Sequence, residues 1–404
     1  MLAYPAAGFL AGFSLILYIP RVTLLSRETF MHRILFVLIA AGLMLAGCGK
    51  QEDSNTVVIG QYAALSGEIA NFGKFTDLGV QLAVAERNER GGIKGRKIVL
   101  QTYDDRGQQA DAKSAVTRLI TQDKAVAVIG QVASSLSMVG GQVAQEYGVP
   151  MVTPSSTNPQ VTEVGDMVFR VCYTDTLQGL YCARFAAEKG WKTAAVLYDR
   201  KQAYSVGLKD SFAEHFTRAG GTIVTEQAYG SGDTDFSAQL NAIKNAKPDV
   251  IFLPGYYNDI GNIAIQAKNQ NLNLPFLGGD GWTDTEKVAP PDAIDNCFFV
   301  NHCALDSPDP QNAAFVEKFK QRFPDDEPNV WTALGYDAAV VLFDAMERAE
   351  SFSGKDIAAA LAQTKDHKGI SGTISIDENR NAVKPAVIQT YRDGKPVYVT
   401  TINP

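Results

Sequence analysis

The chain is expected to be an α/β protein of two similar lobes, each a parallel sheet wrapped by helices. Three observations lead there. From Thr56 onward, short apolar runs alternate with helical patterns, which is the grammar of parallel strands joined by helical crossovers. The alternation runs to about residue 171 and then begins again, with no low-complexity linker between the two series. Several strand patterns also end in turns rich in Ser, Thr and Gly, and in an open α/β sheet ligands sit at the carboxyl ends of the strands.

The elements follow in order. Thr56–Ile59 is a buried-strand pattern, and a helix is expected from about Phe75 to Glu89, with Leu78, Leu82 and Ala85 on its apolar face and Gly91-Gly92 ending it. A strand from Lys97 to Thr102 closes on Tyr103-Asp-Asp105, and Gln109–Gln122 is helical. The next strand, Val126–Ile129, opens through Gly130-Gln-Val-Ala-Ser134-Ser135 into a helix that Gly148 stops. Val149–Val152 is then a strand ending in Thr153-Pro-Ser155-Ser-Thr157-Asn-Pro159. The second series has helices at Leu177–Lys189, Val206–Ala219, Phe236–Asn245 and Asp259–Asn269. Its strands are Thr193–Tyr198, Thr222–Gln227, Asp249–Leu253 and the run into Phe276-Leu-Gly-Gly-Asp280-Gly281-Trp282. Phe298–Asn301 leads back to helices at Ala313–Phe323, Trp331–Arg348 and Asp356–Gln363, and the tail reads as strands joined by turns.

The totals bound the function. The sequence has 404 residues, 46% hydrophobic and 20% charged, enough for two cores. A formal charge of −7 and the lack of a basic, aromatic-laced stripe argue against nucleic acid. Residues 1–47 lie outside the fold. Arg21, Arg27, His32 and Arg33 precede an apolar run, Ile34–Ala46, with the length of a signal-peptide core rather than a membrane span. It ends in Leu45-Ala-Gly-Cys48, which resembles the bacterial lipobox, so Cys48 is the expected lipidation site and residues 48–55 the tether. Residues 1–30 are either an over-long gene start or an additional membrane segment. An acyl anchor would hold the protein at a membrane, in the periplasm or on the cell surface, without a spanning helix.

The remaining cysteines, Cys172, Cys182, Cys297 and Cys303, are an even number in an oxidising compartment. Disulfides are therefore expected, with three connectivities open and Cys172–Cys182 and Cys297–Cys303 the local pairs. No C-x-x-C occurs, the four histidines are scattered, and no metal or cofactor is expected. The two hydroxyl-rich turns, at the ends of adjacent parallel strands, suit a carboxylate, because a helix start offers free N–H groups and a favourable dipole. One such turn is accounted for by helix capping; two in succession favour a site.

In their order and spacing, several short pieces resemble the leucine/isoleucine/valine-type periplasmic amino-acid-binding proteins of ABC transporters. They are Leu65-Ser-Gly, Asn88-Glu-Arg-Gly-Gly-Ile-Lys-Gly95, Tyr103-Asp-Asp105, Val128-Ile-Gly130, Pro154-Ser-Ser-Thr-Asn-Pro159, Gly255-Tyr256, Gly278-Gly-Asp-Gly281 and Gly335-Tyr-Asp337. The resemblance spans Thr56 to Val399 and implies the type 1 Venus-flytrap fold, two Rossmann-like lobes joined by a three-strand hinge. Lobe one would be 56–171 plus 303–371 and lobe two 172–302 plus 372–404, with crossings near Cys172, Cys303 and Gly372. By position, Ser134 would bind the ligand α-carboxylate with Ser155 and Thr157, and Asp280 would face the α-ammonium. Tyr204 and Tyr256 would close from lobe two, while Phe72, Val132, Ala133 and Trp282 would border the side chain. The family's lobe-one disulfide would align near Arg106 and Ala133, and both of its cysteines are absent here.

The resemblance therefore implies a monomeric protein that captures a free amino acid, branched-chain or similarly apolar, and delivers it to permease subunits. The alternative is a ligand-sensing receptor component for amino acids, amides or other small acids. An enzyme is not expected. The sequence holds no G-x-S-x-G, P-loop or H-E-x-x-H, and no histidine base accompanies the hydroxyl turns.

Overall fold

The structure, a computed structural model, describes residues 55–403. The expected leader, Cys48 and most of its tether lie outside the described residues. Lobe one opens with β1 (Thr56–Ala63), α1 (Ala70–Glu89), β2 (Lys97–Asp104), α2 (Gln109–Thr121), β3 (Ala127–Ile129), α3 (Ser134–Tyr147), β4 (Met151–Thr153), α4 (Gln160–Glu163) and β5 (Val168–Arg170). These five strands form one sheet in the order β2-β1-β3-β4-β5, parallel at every pairing. Strand order reverses between β1 and β3, so a crevice opens at their carboxyl ends, where the Gly130 turn begins.

Lobe two repeats the arrangement. Its elements are α5 (Asp175–Glu188), β6 (Thr193–Asp199), α6 (Ala203–Arg218), β7 (Thr222–Tyr229), α7 (Ser237–Ala246), β8 (Val250–Phe252), α8 (Tyr257–Asn269), β9 (Phe276–Gly278), a 3-10 turn at Asp280–Trp282, α9 (Pro291–Ile294) and β10 (Cys297–Asn301). The chain then returns to lobe one as α10 (Pro310–Arg322), α11 (Val330–Arg348), α12 (Gly354–Ala362) and a small hairpin, β11 (His367–Gly369) and β12 (Gly372–Ile374). It ends with β13 (Ala386–Arg392) and β14 (Lys395–Ile402). The second sheet has the order β14-β13-β10-β9-β8-β6-β7. Strands β7, β6, β8, β9 and β10 reproduce the five-strand order of lobe one in parallel. Strands β13 and β14 are added antiparallel at one edge.

Each sheet is covered on both faces, as parallel strands require. In lobe one, Ile59, Ile129 and Phe169 pack with Val341, Leu342 and Met346 of α11 on one face, and Val116, Leu119 and Val143 cover the other. In lobe two, Leu197, Ile251 and Phe299 face one cluster and Val196, Phe252 and Val300 the opposite one.

The chain passes between the two sheets between Arg170 and Asp175 and again between Asn301 and Pro310. The third passage differs from the expected one. Ile374, Ile376 and Ala382 pack into the lobe-one core, and the second sheet is entered only at Ala386. The passage is therefore near Lys384 rather than Gly372, because apolar residues beyond the small hairpin are buried against α11. The Asp377 segment is a tight turn between the bridged Ile376 and Ala382, its carboxylate accepting from Asn379 and Asn381 N–H.

Several helices start earlier than periodicity predicts, α1 and α5 among them. Helix α1 begins at Ala70, placing Phe72 in its first turn, where the chain lies so close to the loop after β1 that a Cβ on Gly73 would sit 2.1 Å from Ala64 O. Helix α5 begins at Asp175. The four cysteines Cys172, Cys182, Cys297 and Cys303 are all buried free thiols, so the expected disulfides are not formed. Cys297 belongs to a lobe-two core and Cys303 to the cluster between the lobes. Cys172 Sγ turns to Ser156 O and Cys182 Sγ to Gly278 O.

Candidate functional site

The hydroxyl-rich turns of lobe one divide their work. Gly130 has φ +141°, and a Cβ there would collide with Tyr62 O at 2.5 Å, so the turn needs glycine. The next residue, Gln131, is a structural hub. Its amide donates to both oxygens of Asp105 at 3.1 and 2.8 Å, and its side-chain oxygen accepts Ala133 N–H at 2.9 Å. Thr153 Oγ1 and Ser156 Oγ donate to Gln131 O at 2.7 and 2.8 Å, and Ser137 Oγ lies 2.7 Å from Ser156 Oγ. These hydroxyls bind the two turns to each other.

The others are left for something else. Ser134 Oγ accepts Asn158 N–H at 3.2 Å, while Ser155 Oγ and Thr157 Oγ1 are buried with no partner in hydrogen-bond geometry. An unpaired buried hydroxyl is costly, and these two lie in one turn at a strand end, where a ligand's polar groups could satisfy them. A fully buried arginine that sequence reasoning missed holds this second turn. Arg170 donates to Ser156 O at 2.6 Å, Asn158 O at 2.8 Å and Pro159 O at 3.2 Å.

Lobe two meets these turns with acids and rings. Asp280 is 3% exposed; its Oδ1 accepts from Gln178 Nε2 at 2.9 Å and its Oδ2 lies 3.1 Å from His302 Nε2. Tyr204 OH accepts Gly281 N–H at 3.2 Å, and its ring stacks on Tyr256 with centroids 5.2 Å apart. Tyr256 in turn meets Phe72 of lobe one edge-on at 5.7 Å. Phe72 is wholly buried among Tyr256, Tyr257 and Trp331, and Val132 joins the same interlobe cluster. Ala133 precedes α3 as its N-cap.

A second carboxylate stands here that sequence reasoning did not single out. Asp175 is 1% exposed, and both its oxygens lack a partner in hydrogen-bond geometry. Burial pushes its pKa well above the ordinary carboxylate value; nearby Thr157 opposes that, and the charge of Asp280 adds to it. Its position as first residue of α5, two places beyond the aromatic Tyr173 at the first crossing, is the signal that could have found it. A cation seated between Asp175 and Asp280 would relieve both burial and repulsion.

Trp282 is the residue that the structure does not bring to this cluster. Its indole is 0% exposed in the lobe-two core, beside Phe276 and Phe299, with Nε1 donating to Leu253 O at 2.8 Å. A large ring whose N–H finds a core acceptor gains more from burial there than at a cleft wall.

The lobes are in contact around this cluster. Asn158 Nδ2 donates to Ala203 O at 2.7 Å and Ala203 N–H to Ser135 Oγ at 3.2 Å. Asn258 Nδ2 donates to Glu68 O at 2.8 Å, and Lys287 Nζ sits 4.7 Å from the centre of the Phe75 ring.

The periplasmic binding protein family matches this chain over residues 56–396. The chain belongs to that family. The Leu/Ile/Val-binding protein BraC3 of Rhizobium johnstonii is 34% identical over 321 residues, 79% of this chain and 86% of the relative. The leucine-binding protein LivK of Thermotoga maritima has the same fold, with a TM-score of 0.82 and 37% identity, over 86% of this chain and 99% of that one. The substrate-binding protein LivJ of Streptococcus pneumoniae, solved with isoleucine, matches with a TM-score of 0.81 and 32% identity, over 86% of this chain and 100% of that one. The expected type 1 binding-protein fold is thereby established. The family's activity is binding rather than catalysis.

Proposed function

We propose that this protein captures a free amino acid with an apolar side chain, branched-chain types foremost, between its lobes and hands it to the permease of an ABC transporter. One observation carries the reading: the hydroxyl turn of lobe one, with Ser155 and Thr157 buried, adjoins two buried carboxylates of lobe two, Asp175, which receives a hydrogen-bonding influence from Thr157, and Asp280. A zwitterion matches both poles. Its carboxylate takes the hydroxyls and the first N–H groups of α3. Its ammonium takes the acids, and its side chain lies toward Phe72, Val132 and Tyr256. The relatives named for leucine, isoleucine and valine support the same ligand class.

The anchored form of the reading adds acylation at Cys48, a monomeric body and a place in the periplasm or on the cell surface at a membrane. Calorimetric titration with a panel of amino acids, and with acetate and simple amines as controls, tests the ligand class. Heat is expected from apolar amino acids and not from either control; silence from every amino acid overturns the proposal. For the anchor, Cys48→Ser is expected to release the protein from membranes, and continued acylation in that variant refutes the assignment.

A further inference from the structure

His302 is the histidine on the second crossing, immediately after β10, with its side chain 0% exposed. Its ring is stacked on Tyr173 of the first crossing, with centroids 3.9 Å apart and planes 28° from parallel. Nε2 points at Asp280 Oδ2 from 3.1 Å, while Gln178 holds the other oxygen from 2.9 Å. Each carboxylate oxygen thus has its own partner, and the plane of the group is set. Facing a carboxylate, Nε2 carries the proton. Nδ1 has no hydrogen-bond partner.

Resting on the amino-acid reading above, we propose that His302 is the positioning residue of the ammonium site: as a neutral imidazole it aims the Asp280 carboxylate at the ligand without cancelling its charge. The alternative partner for that oxygen, a lysine or arginine, would aim the group equally well and neutralise it. A neutral donor avoids that conflict.

The surroundings keep the ring neutral. Burial is the largest influence and lowers its pKa from 6.5; Asp280 opposes this, and Lys384 of the third crossing reinforces it. Lys384 is itself buried, donating to Ser371 Oγ at 2.5 Å, with Asp337 the strongest opposing charge. Tyr173 faces the ring from the first crossing, its phenol pushed far above the neutral range by burial and Asp280. Beside the crossings, the thiols Cys172 and Cys303 are both pushed up to about 12, so neither ionises near neutrality. The sign of the pH effect follows. A bound ammonium disfavours the imidazolium, so protons and ligand compete, and affinity falls as pH drops through the His302 pKa, below 6.5.

The test is calorimetric titration of the full chain with L-leucine, comparing wild type, His302→Gln and His302→Phe at about pH 7.5 and about pH 5. At the higher pH the Phe variant is expected to lose about tenfold or more in affinity, and the Gln variant, which keeps a neutral donor, to stay within about threefold of wild type. On moving to the lower pH, wild type is expected to weaken by a larger factor than His302→Gln. Asp175 is the same in every variant, so that difference isolates the ring. A Phe variant that binds like wild type, or a Gln variant with the wild-type pH loss, overturns the assignment. Should His302→Phe not fold, the wild-type and Gln profiles decide alone. Failure of wild type to bind any amino acid would sink the functional reading instead, a separately visible outcome.

Discussion

The two lobes share one strand order and bring opposite chemistry to the cleft. Lobe one offers hydroxyls and helix-start N–H groups, and its buried cation, Arg170, turns its donors to the carbonyls of Ser156, Asn158 and Pro159. Lobe two offers Asp175, Asp280 and the stacked Tyr204–Tyr256 pair. A ligand with a single pole can therefore satisfy only one lobe, whereas a zwitterion bridges both. A ligand shifts a hinge equilibrium only through its differential contacts in the closed form. On the proposed function, that polarity split makes closure selective.

The acids of lobe two also differ from one another. Asp280 is held by Gln178 and His302; Asp175 has only the nearby Thr157 hydroxyl as a weak partner. The largest expected effect is at the held one. Asp280→Ala should leave the fold intact and abolish amino-acid binding, a loss of about 3–5 kcal/mol for stranding a buried ammonium; unchanged affinity by calorimetry would exclude the ammonium role. Asp175→Asn should weaken binding about tenfold to a hundredfold and, unlike Asp280→Ala, raise the melting temperature of the ligand-free protein at neutral pH. A raised carboxyl pKa contributes stability at low pH that is lost as pH rises, and the amide removes that loss. A variant that melts lower than wild type at neutral pH would show Asp175 to be structural.

On the lobe-one side, effects should be smaller, because neutral hydroxyls contribute about 1 kcal/mol each. Ser134→Ala or Thr157→Val is expected to cost about fivefold to tenfold in affinity, and losses as large as those at Asp280 would break the comparison. At the rim, burial raises Asp259 to about 7, with Asp199 of lobe two and Glu68 of lobe one adding like-charge repulsion. Stability should decline as pH rises from the ordinary 3.8 toward about 7, and Asp259→Asn should flatten that decline in thermal melts across the range. Smallest of all, Lys287→Ala removes a cation–π contact from the seam and should change leucine affinity by about threefold or less.

Much of this was legible in the sequence. The alternation of apolar runs and helical patterns placed both sheets, and the Ser and Thr clusters after Ile129 and Val152 marked the strand ends that face the cleft. The family resemblance, by position, carried Asp280, Tyr204, Tyr256 and Phe72 to one region. The division among the hydroxyls was not legible: Ser137, Thr153 and Ser156 tie the turns together while Ser155 and Thr157 find no such partner, although all are small hydroxyl residues in or just after the same two turns. Nor was Trp282, since a tryptophan beside a site acid reads alike whether its ring turns to the cleft or to Phe276 and Phe299.

Local propensity and periodicity act over a few residues, so the chain's own pattern determined which segments are strands, which are helices and which turns are rich in hydroxyls. Only the tertiary structure decided which partners those turns meet. Asp280 meets His302 across 22 positions of chain and Gln178 across 102, and the thiols stay unpaired, Cys182, Cys297 and Cys303 each buried in a different apolar cluster. A buried charge or donor takes its character from whatever surrounds it at a few ångströms, and that neighbourhood exists only once the lobes have folded and met.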